Sequence, residues 1–246
     1  MHKSSFEKVR SIRDIYIKPG AKVLDVGSAA FQTACYRLHF PAPTYEYTGL
    51  DITPGPNVDV VVADSYDWKE IATDTFDAVI SGQTFEHNPY FWITIAEMAR
   101  VAKPEGVIAV IAPSRGEVHR YPFDCWRFYP DAGASLAAYV GLELLESEVE
   151  VAKHKTIEGL QWGDSTMIAR KPSLATARER DQFEERLALV RSTATAAPPA
   201  DAVLGRGPAL SDYERRVNKS TSEVLRWRFR VAASESKRWI RRRISR

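Results

Sequence analysis

The chain has 246 residues, 44% hydrophobic and 27% charged, with a net charge of +2. That is apolar mass for one full-sized core and a small appendage; no run approaches the ~18 apolar residues of a membrane-spanning helix, and the N-terminal stretch lacks the apolar segment and cleavage site of a signal peptide, so a soluble, cytoplasmic protein is expected. The two cysteines, Cys35 and Cys125, stand in no CxxC or Cys/His spacing, which argues against a disulfide framework and a structural zinc site.

Residues 4–16 read as a leading helix, and short apolar strands follow at "AKVLDVG", "YEYTGLDI", "VDVVVA", "FDAVISG" and "GVIAVIAP". Helical segments lie between them at 30–39 and in "YFWITIAEMARVAKPEG", whose last turn carries Arg100 and Lys103 before Pro104 and Gly106 stop it. This alternation predicts a doubly wound, mostly parallel α/β sheet. Two later runs, "LELLESEVEVAKH" and "GDSTMIARKP", predict an antiparallel pair closing the sheet edge. The rhythm stops at Lys171-Pro172, so residues 1–172 are read as the main domain, 173–212 as a charged helix followed by an Ala/Pro-rich linker, and 213–246 as a helical tail.

The tail carries 12 Lys/Arg against 3 Asp/Glu, so the net charge divides into +9 there and −7 over the first 212 residues. Trp227, Phe229 and Trp239 are interleaved with its cations. A basic amphipathic helix of this kind suits an anionic membrane surface, which predicts peripheral attachment to the inner face of a membrane. Nucleic acid is the rival partner, disfavoured because the rest of the chain is acidic and carries no RNA-binding module. The plain alternative is a solvated or domain-packed helix.

"KVLDVGSAAFQTA", residues 22–34, is an apolar strand ending in a carboxylate and a glycine turn. In a doubly wound sheet the loop after the first strand is where a nucleotide-like ligand meets backbone N–H groups. Asp51, at the end of the next strand, can take both hydroxyls of a ribose, and Asp64 follows the third. No cation stands in the first loop to receive a diphosphate, which argues against a dinucleotide. Residues 20–172 resemble the class I S-adenosylmethionine-dependent methyltransferases. The resemblance implies a Rossmann-like, mostly parallel seven-stranded sheet with a C-terminal helical extension, and S-adenosylmethionine as cofactor. It places Asp25 and Gly27 near the methionine moiety, Asp51 on the ribose, Ile52 beside the adenine, Asp64 at its amino group, and Ser81 to Gln83 along the sulfonium. Ala29 and Phe31 occupy the second and third glycine positions of the family's usual loop.

After the fifth strand comes "HRYPFDCWRFYP", residues 119–130. Aromatic faces stack on sugar rings and planar groups, while Asp and Arg supply directional hydrogen bonds. Tyr121, Trp126, Arg127 and Phe128 are therefore candidate acceptor-binding residues; the rings could equally be core, and Asp124 with Arg127 an ion pair that holds the loop. The pattern from His119 through Pro122, Asp124, Trp126, Arg127 and Phe128 looks like a subgroup of these methyltransferases associated with polysaccharide and glycolipid assembly, which implies O-methylation of a sugar hydroxyl. His119 and His87 are the candidate general bases, with Asp124 to orient or assist. A phenolic or quinone-like acceptor, or a catalytically silent scaffold of the same fold, are the alternatives. Some quinone-biosynthesis members carry Glu-x-x-Glu-His in the loop that here reads "QTFEH", residues 83–87, and hold a divalent cation with it. Glu86 and His87, with Asp124, are the corresponding metal candidates, although Gln83 removes one hard oxygen anion.

Overall fold

The computed structural model describes residues 3–30, 35–120, 123–150 and 162–196. The Ala/Pro-rich linker and the basic tail lie outside the described residues, as do Phe31, Tyr121 and Pro122. No helix among the described residues is long and apolar enough to cross a membrane.

In chain order the elements are α1 (Lys3–Tyr16), β1 (Lys22–Val26), β2 (Glu46–Asp51), β3 (Val60–Val61), β4 (Phe76–Gly82), α2 (Phe91–Val101), β5 (Ala102–Pro113), α3 (Pro130–Val140), β6 (Glu143–Val149), β7 (Asp164–Arg170) and α4 (Ala177–Ser192). The strands form one sheet in the order β3-β2-β1-β4-β5-β7-β6. β3, β2, β1, β4 and β5 run parallel, and β7 is inserted antiparallel between β5 and β6. This is the expected doubly wound sheet with its antiparallel closing pair. The strand order reverses between β1 and β4, and that switch point opens a crevice at the carboxyl ends of the strands.

Alternate side chains of each central strand point to opposite faces, and both faces are covered, which is why the strands read as nearly continuous apolar runs. On one face Leu24, Val79 and Ile108 pack under α2, α3 and α4. On the other, Val23, Ile80 and Ala109 pack under α1 through Val9 and Ile12.

Three elements differ from the sequence reading. The expected helix over 30–39 is, among its described residues, a single 3-10 turn at Tyr36–His39. The helix predicted to run to Gly106 ends at Val101, and Ala102 already pairs with Phe76 in the sheet. Glu105, at φ +64, bulges the chain there, and its N–H donates to the Lys171 carbonyl oxygen at 2.9 Å. α3 was not read at all, although Pro130 in its first turn and Gly141 at its left-handed C-cap are ordinary helix boundaries.

The compact unit runs Met1–Ala200, so the charged helix belongs to the sheet domain and the boundary expected at 172 moves outward. α4 starts on a capping box in which Thr176 and Glu179 bond each other's backbone N–H. Its Phe183, Leu187 and Val190 are buried in the core. Arg191 pairs with Asp67 at 3.1 Å and with Glu97, a fully buried carboxylate of α2 that also accepts from Arg100 and from the Trp68 N–H. Charge on α4 therefore adds a second guanidinium to a buried carboxylate that Arg100 of α2 already engages.

Candidate active site

The crevice is built first by β1 and β2. Gly27 takes φ +79, and a Cβ on it would lie 2.1 Å from Thr84 Oγ1. Its N–H and that of Ser28 both donate to the Leu50 carbonyl oxygen, at 2.9 and 3.0 Å. The Ala29 N–H donates to Asp51 Oδ2 at 2.9 Å and the Ile52 N–H to Oδ1 at 2.8 Å. The glycine loop is thus laced to the end of β2, and Asp51 keeps acceptor capacity beyond these two bonds. Ile52 beside it is an exposed apolar side chain, at 54%.

Asp25 is buried, and the Tyr47 hydroxyl donates to its Oδ2. Burial pushes its carboxyl up to about 7, the Tyr47 hydrogen bond offsetting only part of that. Asp64 is exposed in the turn after the two-residue β3, where its Oδ1 accepts from the Tyr66 N–H at 2.8 Å. The carboxylates expected in one row therefore divide into a buried one, a half-buried one and an exposed one. Asn57 at φ +71 braces the loop by donating to the Ser28 carbonyl oxygen and the Tyr47 hydroxyl oxygen, at 2.9 and 3.1 Å.

Asp25 gives a measurable signature. Because its folded-state pKa lies above its unfolded one, its contribution to stability is fully present below pH ~4 and is lost as the pH rises through about 7. Asp25→Asn should flatten the fall in urea midpoint between pH 5 and pH 8; an unchanged pH dependence would assign the fall to other groups.

At the end of β4 the Ser81 hydroxyl donates to the Val26 carbonyl oxygen at 2.9 Å and is buried, closing the seam between β1 and β4. Gln83 takes φ +59 and donates from Nε2 to Asp164 Oδ1 at 3.0 Å, while its buried Oε1 has no hydrogen-bond partner. Ser4, in the first turn of α1, donates to Asp164 Oδ2 at 2.8 Å. One carboxylate thereby joins α1, β4 and β7.

The turn Phe85–His87 then meets the loop that follows β5. The Glu86 carbonyl oxygen accepts from the N–H groups of Cys125 and Trp126, at 2.7 and 3.3 Å. That hook brings His119 over His87, with ring centroids 4.9 Å apart and edge to face. His119 also packs against Trp162 at 4.5 Å. His87 donates from Nδ1 to the Phe123 carbonyl oxygen at 2.6 Å, which leaves Nε2 as its unprotonated nitrogen in the neutral ring. Burial holds the His87 imidazole below its usual range. Burial also presses His119 down, but its hydrogen bonds to Asp124 and to the Glu117 carbonyl raise it overall. Glu86 is fully buried, and burial pushes its carboxyl up to about 8.

Asp124 and Arg127 bond each other and hold this loop together. Arg127 donates from Nη1 and Nη2 to Asp124 Oδ1 and Oδ2, at 2.5 and 2.8 Å, and also to the Glu117 carbonyl oxygen. Asp124 accepts in addition from the His119 N–H at 2.7 Å. Its side chain is 1% exposed; burial alone would raise its pKa, but these donors hold the carboxyl well below the usual range. Phe128, expected against the acceptor, is core, packed edge to face on Phe85 and Phe91. Trp126 remains partly exposed, its indole N–H donating to the Asn88 carbonyl oxygen at 3.0 Å. The metal candidates also change: Asp124 is committed to Arg127, and His119 stands beside Glu86 and His87 instead.

Sequence reasoning missed Tyr47, Asn57, Thr84, Asp164 and Trp162. Asn57 alone left a signal, in the turn-forming "PGPN".

Residues 24–110 match the family described as a methyltransferase domain. A demethylmenaquinone methyltransferase of Lysinibacillus sphaericus is 25% identical over 131 residues, which are 48% of this chain and 55% of that protein. The chain thus spans about half the length of the curated relative it matches. Among solved structures, 1,6-didemethyltoxoflavin-N1-methyltransferase of Burkholderia thailandensis, with bound S-adenosylhomocysteine, aligns with a TM-score of 0.54 at 15% identity, covering 69% of this chain and 79% of that one. A SAM-dependent methyltransferase of Methanosarcina mazei aligns with a TM-score of 0.51 at 16% identity, covering 65% and 97%. These structural likenesses show the fold, and the family match assigns a methyltransferase-domain pattern to residues 24–110.

Proposed function

We propose that this protein is an S-adenosylmethionine-dependent methyltransferase that methylates a hydroxyl of a sugar in a polysaccharide or glycolipid precursor. The donor half rests on one observation, the Gly27 turn laced to Asp51 at the switch point between β1 and β4, inside the segment that matches a methyltransferase domain. The residues fit the cofactor: there is no room for a Cβ at Gly27, a carboxylate with spare lone pairs stands at the end of β2, and an exposed isoleucine adjoins it. In this reading Asp51 would hold the ribose hydroxyls, Ile52 would cover the adenine, and Asp64 would reach its amino group. Bound S-adenosylmethionine supplies a methyl carbon activated by a sulfonium.

The protein's own part is positioning, exclusion of water and removal of a proton. His87, kept neutral by burial and held by the Phe123 carbonyl, presents Nε2 as a general base. The unpartnered oxygens of Gln83 and Glu86 favour an acceptor rich in hydroxyl donors, because each buried acceptor left unpaired costs about 1–3 kcal/mol. A quinone-like or phenolic acceptor is the second reading, favoured by the name of the Lysinibacillus relative and by the ring cluster of Tyr90, Trp92 and Trp126.

Isothermal titration with S-adenosylhomocysteine tests the donor half. Saturable binding is expected, weakened about 10- to 100-fold in Asp51→Ala, the loss of one or two charge-assisted hydrogen bonds. No binding at millimolar ligand would overturn the enzymatic reading in favour of a silent scaffold. For residues 213–246 we propose attachment to anionic membranes, supported by the +9 charge and the interleaved rings. Full-length protein should co-sediment with anionic but not neutral vesicles, and a chain ending at Ser211 should stay in solution; equal pelleting of both would refute this.

A further inference from the structure

We infer that Asp25, with Tyr47 behind it, senses the charge of the methyl donor: its carboxyl gives up a proton to solvent when the cationic donor enters the crevice and takes one back when the uncharged thioether product remains, so that donor is favoured over product. The inference rests on the donor half of the reading above. Asp25 stands at the end of β1 just before the Gly27 turn and is 3% exposed. Among the described residues its carboxyl has one hydrogen bond, from the Tyr47 hydroxyl, and no cation pairs with it. A carboxylate buried in this way is costly unless a positive charge faces it, so the group keeps a proton until one arrives.

The groups around Asp25 leave that demand unmet. On β2, Tyr47 stays protonated because burial and then the Asp25 charge push its hydroxyl up, and Asp51 adds like charge. On the 3-10 turn, Tyr36 is likewise kept protonated by burial. Arg37 of that turn is engaged elsewhere: it donates to Asn57 Oδ1 at 2.7 Å and to Asp59, and its guanidinium lies over the Tyr47 ring, 4.4 Å from the centroid. β4 sets Ile80 at the register position of Asp25, and α1 reaches the cluster through the neutral Ser5 hydroxyl on Tyr36. Burial therefore pushes the Asp25 carboxyl up to about 7, with the Tyr47 bond lowering it and Asp51 raising it, and its proton is easily exchanged at neutral pH. Asn57 donates to the Tyr47 hydroxyl oxygen and to the Ser28 carbonyl oxygen, at 3.1 and 2.9 Å, so the hydroxyl that bonds Asp25 is tied to the glycine loop. S-adenosylmethionine carries a sulfonium charge that S-adenosylhomocysteine lacks. A positive charge within ~4–6 Å favours a carboxylate over its acid about 10- to 1,000-fold, and by linkage Asp25 in its ionised form favours the donor by the same factor.

Calorimetry of the full-length protein with S-adenosylmethionine and, separately, S-adenosylhomocysteine, in buffers of different ionisation enthalpy, counts the protons exchanged on binding. At about pH 7 the donor should release a fraction of a proton that the product does not. The preference for donor over product should grow about 10-fold from about pH 5.5 to about pH 7.5. Asp25→Asn should abolish both the release and the pH dependence of that preference. Tyr47→Phe withdraws the hydrogen bond that favours the carboxylate, so it should move the midpoint of the dependence to higher pH. It keeps the ring under Arg37 and carries the test if Asp25→Asn melts early. Equal proton exchange with the two ligands in the wild type, or a pH-dependent preference that survives in Asp25→Asn, would overturn the inference and leave the donor reading standing. Binding of neither ligand would overturn both.

Discussion

Gly27→Val is expected to abolish S-adenosylhomocysteine binding and to lower the melting temperature on the order of 10 °C. Two independent costs combine at this position. The backbone stands at φ +79, where an L side chain costs about 1–2 kcal/mol. The first carbon of any side chain would also lie 2.1, 2.6 and 2.9 Å from three atoms of Thr84, and such overpacking costs about 1–3 kcal/mol more. At about 2–4 °C per kcal/mol for a chain of this size, these account for the shift. The loop cannot yield by moving away, because the N–H groups of Gly27, Ser28 and Ala29 are tied to Leu50 and Asp51. Gly27→Ala combined with Thr84→Ala should recover part of the loss, since it removes the two closest contacts but neither the third nor the backbone strain. A Gly27→Val protein that melts near wild type and binds the ligand would show that the loop has another conformation of equal energy.

Arg127→Met is the second large effect. It leaves the Asp124 carboxylate, 1% exposed, with the His119 N–H as its one remaining strong donor. Removing one partner of a buried ion pair costs about 3–5 kcal/mol, because the other charge stays buried and uncompensated. Arg127→Lys should recover little, since an ammonium cannot reproduce two parallel bonds to Asp124 together with the bond to the Glu117 carbonyl. Asp124→Asn combined with Arg127→Met should be milder than Arg127→Met alone. Denaturant midpoints measure these differences. If the single and double variants unfold at the same denaturant concentration, the pair is not the strut of this loop.

The sheet was legible because its strands carry long apolar runs, and Gly27 and Asp51 because a strand end and a turn can be located from such runs. The acceptor side was less legible, for a reason that Asp124 and Arg127 make plain. Residue types reveal what a side chain can bond, not which partner it meets first, and these two meet each other. Phe128 looked like Trp126 in sequence, yet one is core and the other partly exposed. α3 escaped because "PDAGASLAAYV" is rich in small residues and its apolar stripe is narrow. The meeting of Glu86 with His119 had no local signal, since it depends on Cys125 and Trp126 hooking onto the Glu86 carbonyl.

The contacts of α1 also set an order in time. Its near partners come early: the Ser5 hydroxyl meets that of Tyr36 and Arg13 bonds the His39 carbonyl, 31 and 26 residues along the chain. Its distant ones come late, for Ser4 bonds Asp164, Lys8 bonds Glu148 and Tyr16 bonds Glu146, at separations of 160, 140 and 130 residues. At roughly 5–20 residues per second of synthesis, the helix waits roughly 7–30 s for these partners. During that interval Val9 and Ile12 can lean only on what the ribosome has already released, the Tyr36–Phe40 segment and the first strands. This early helix is therefore among the last pieces of the sheet domain to be locked, and the growing polypeptide carries it as a loosely docked flap until β7 arrives to pin it.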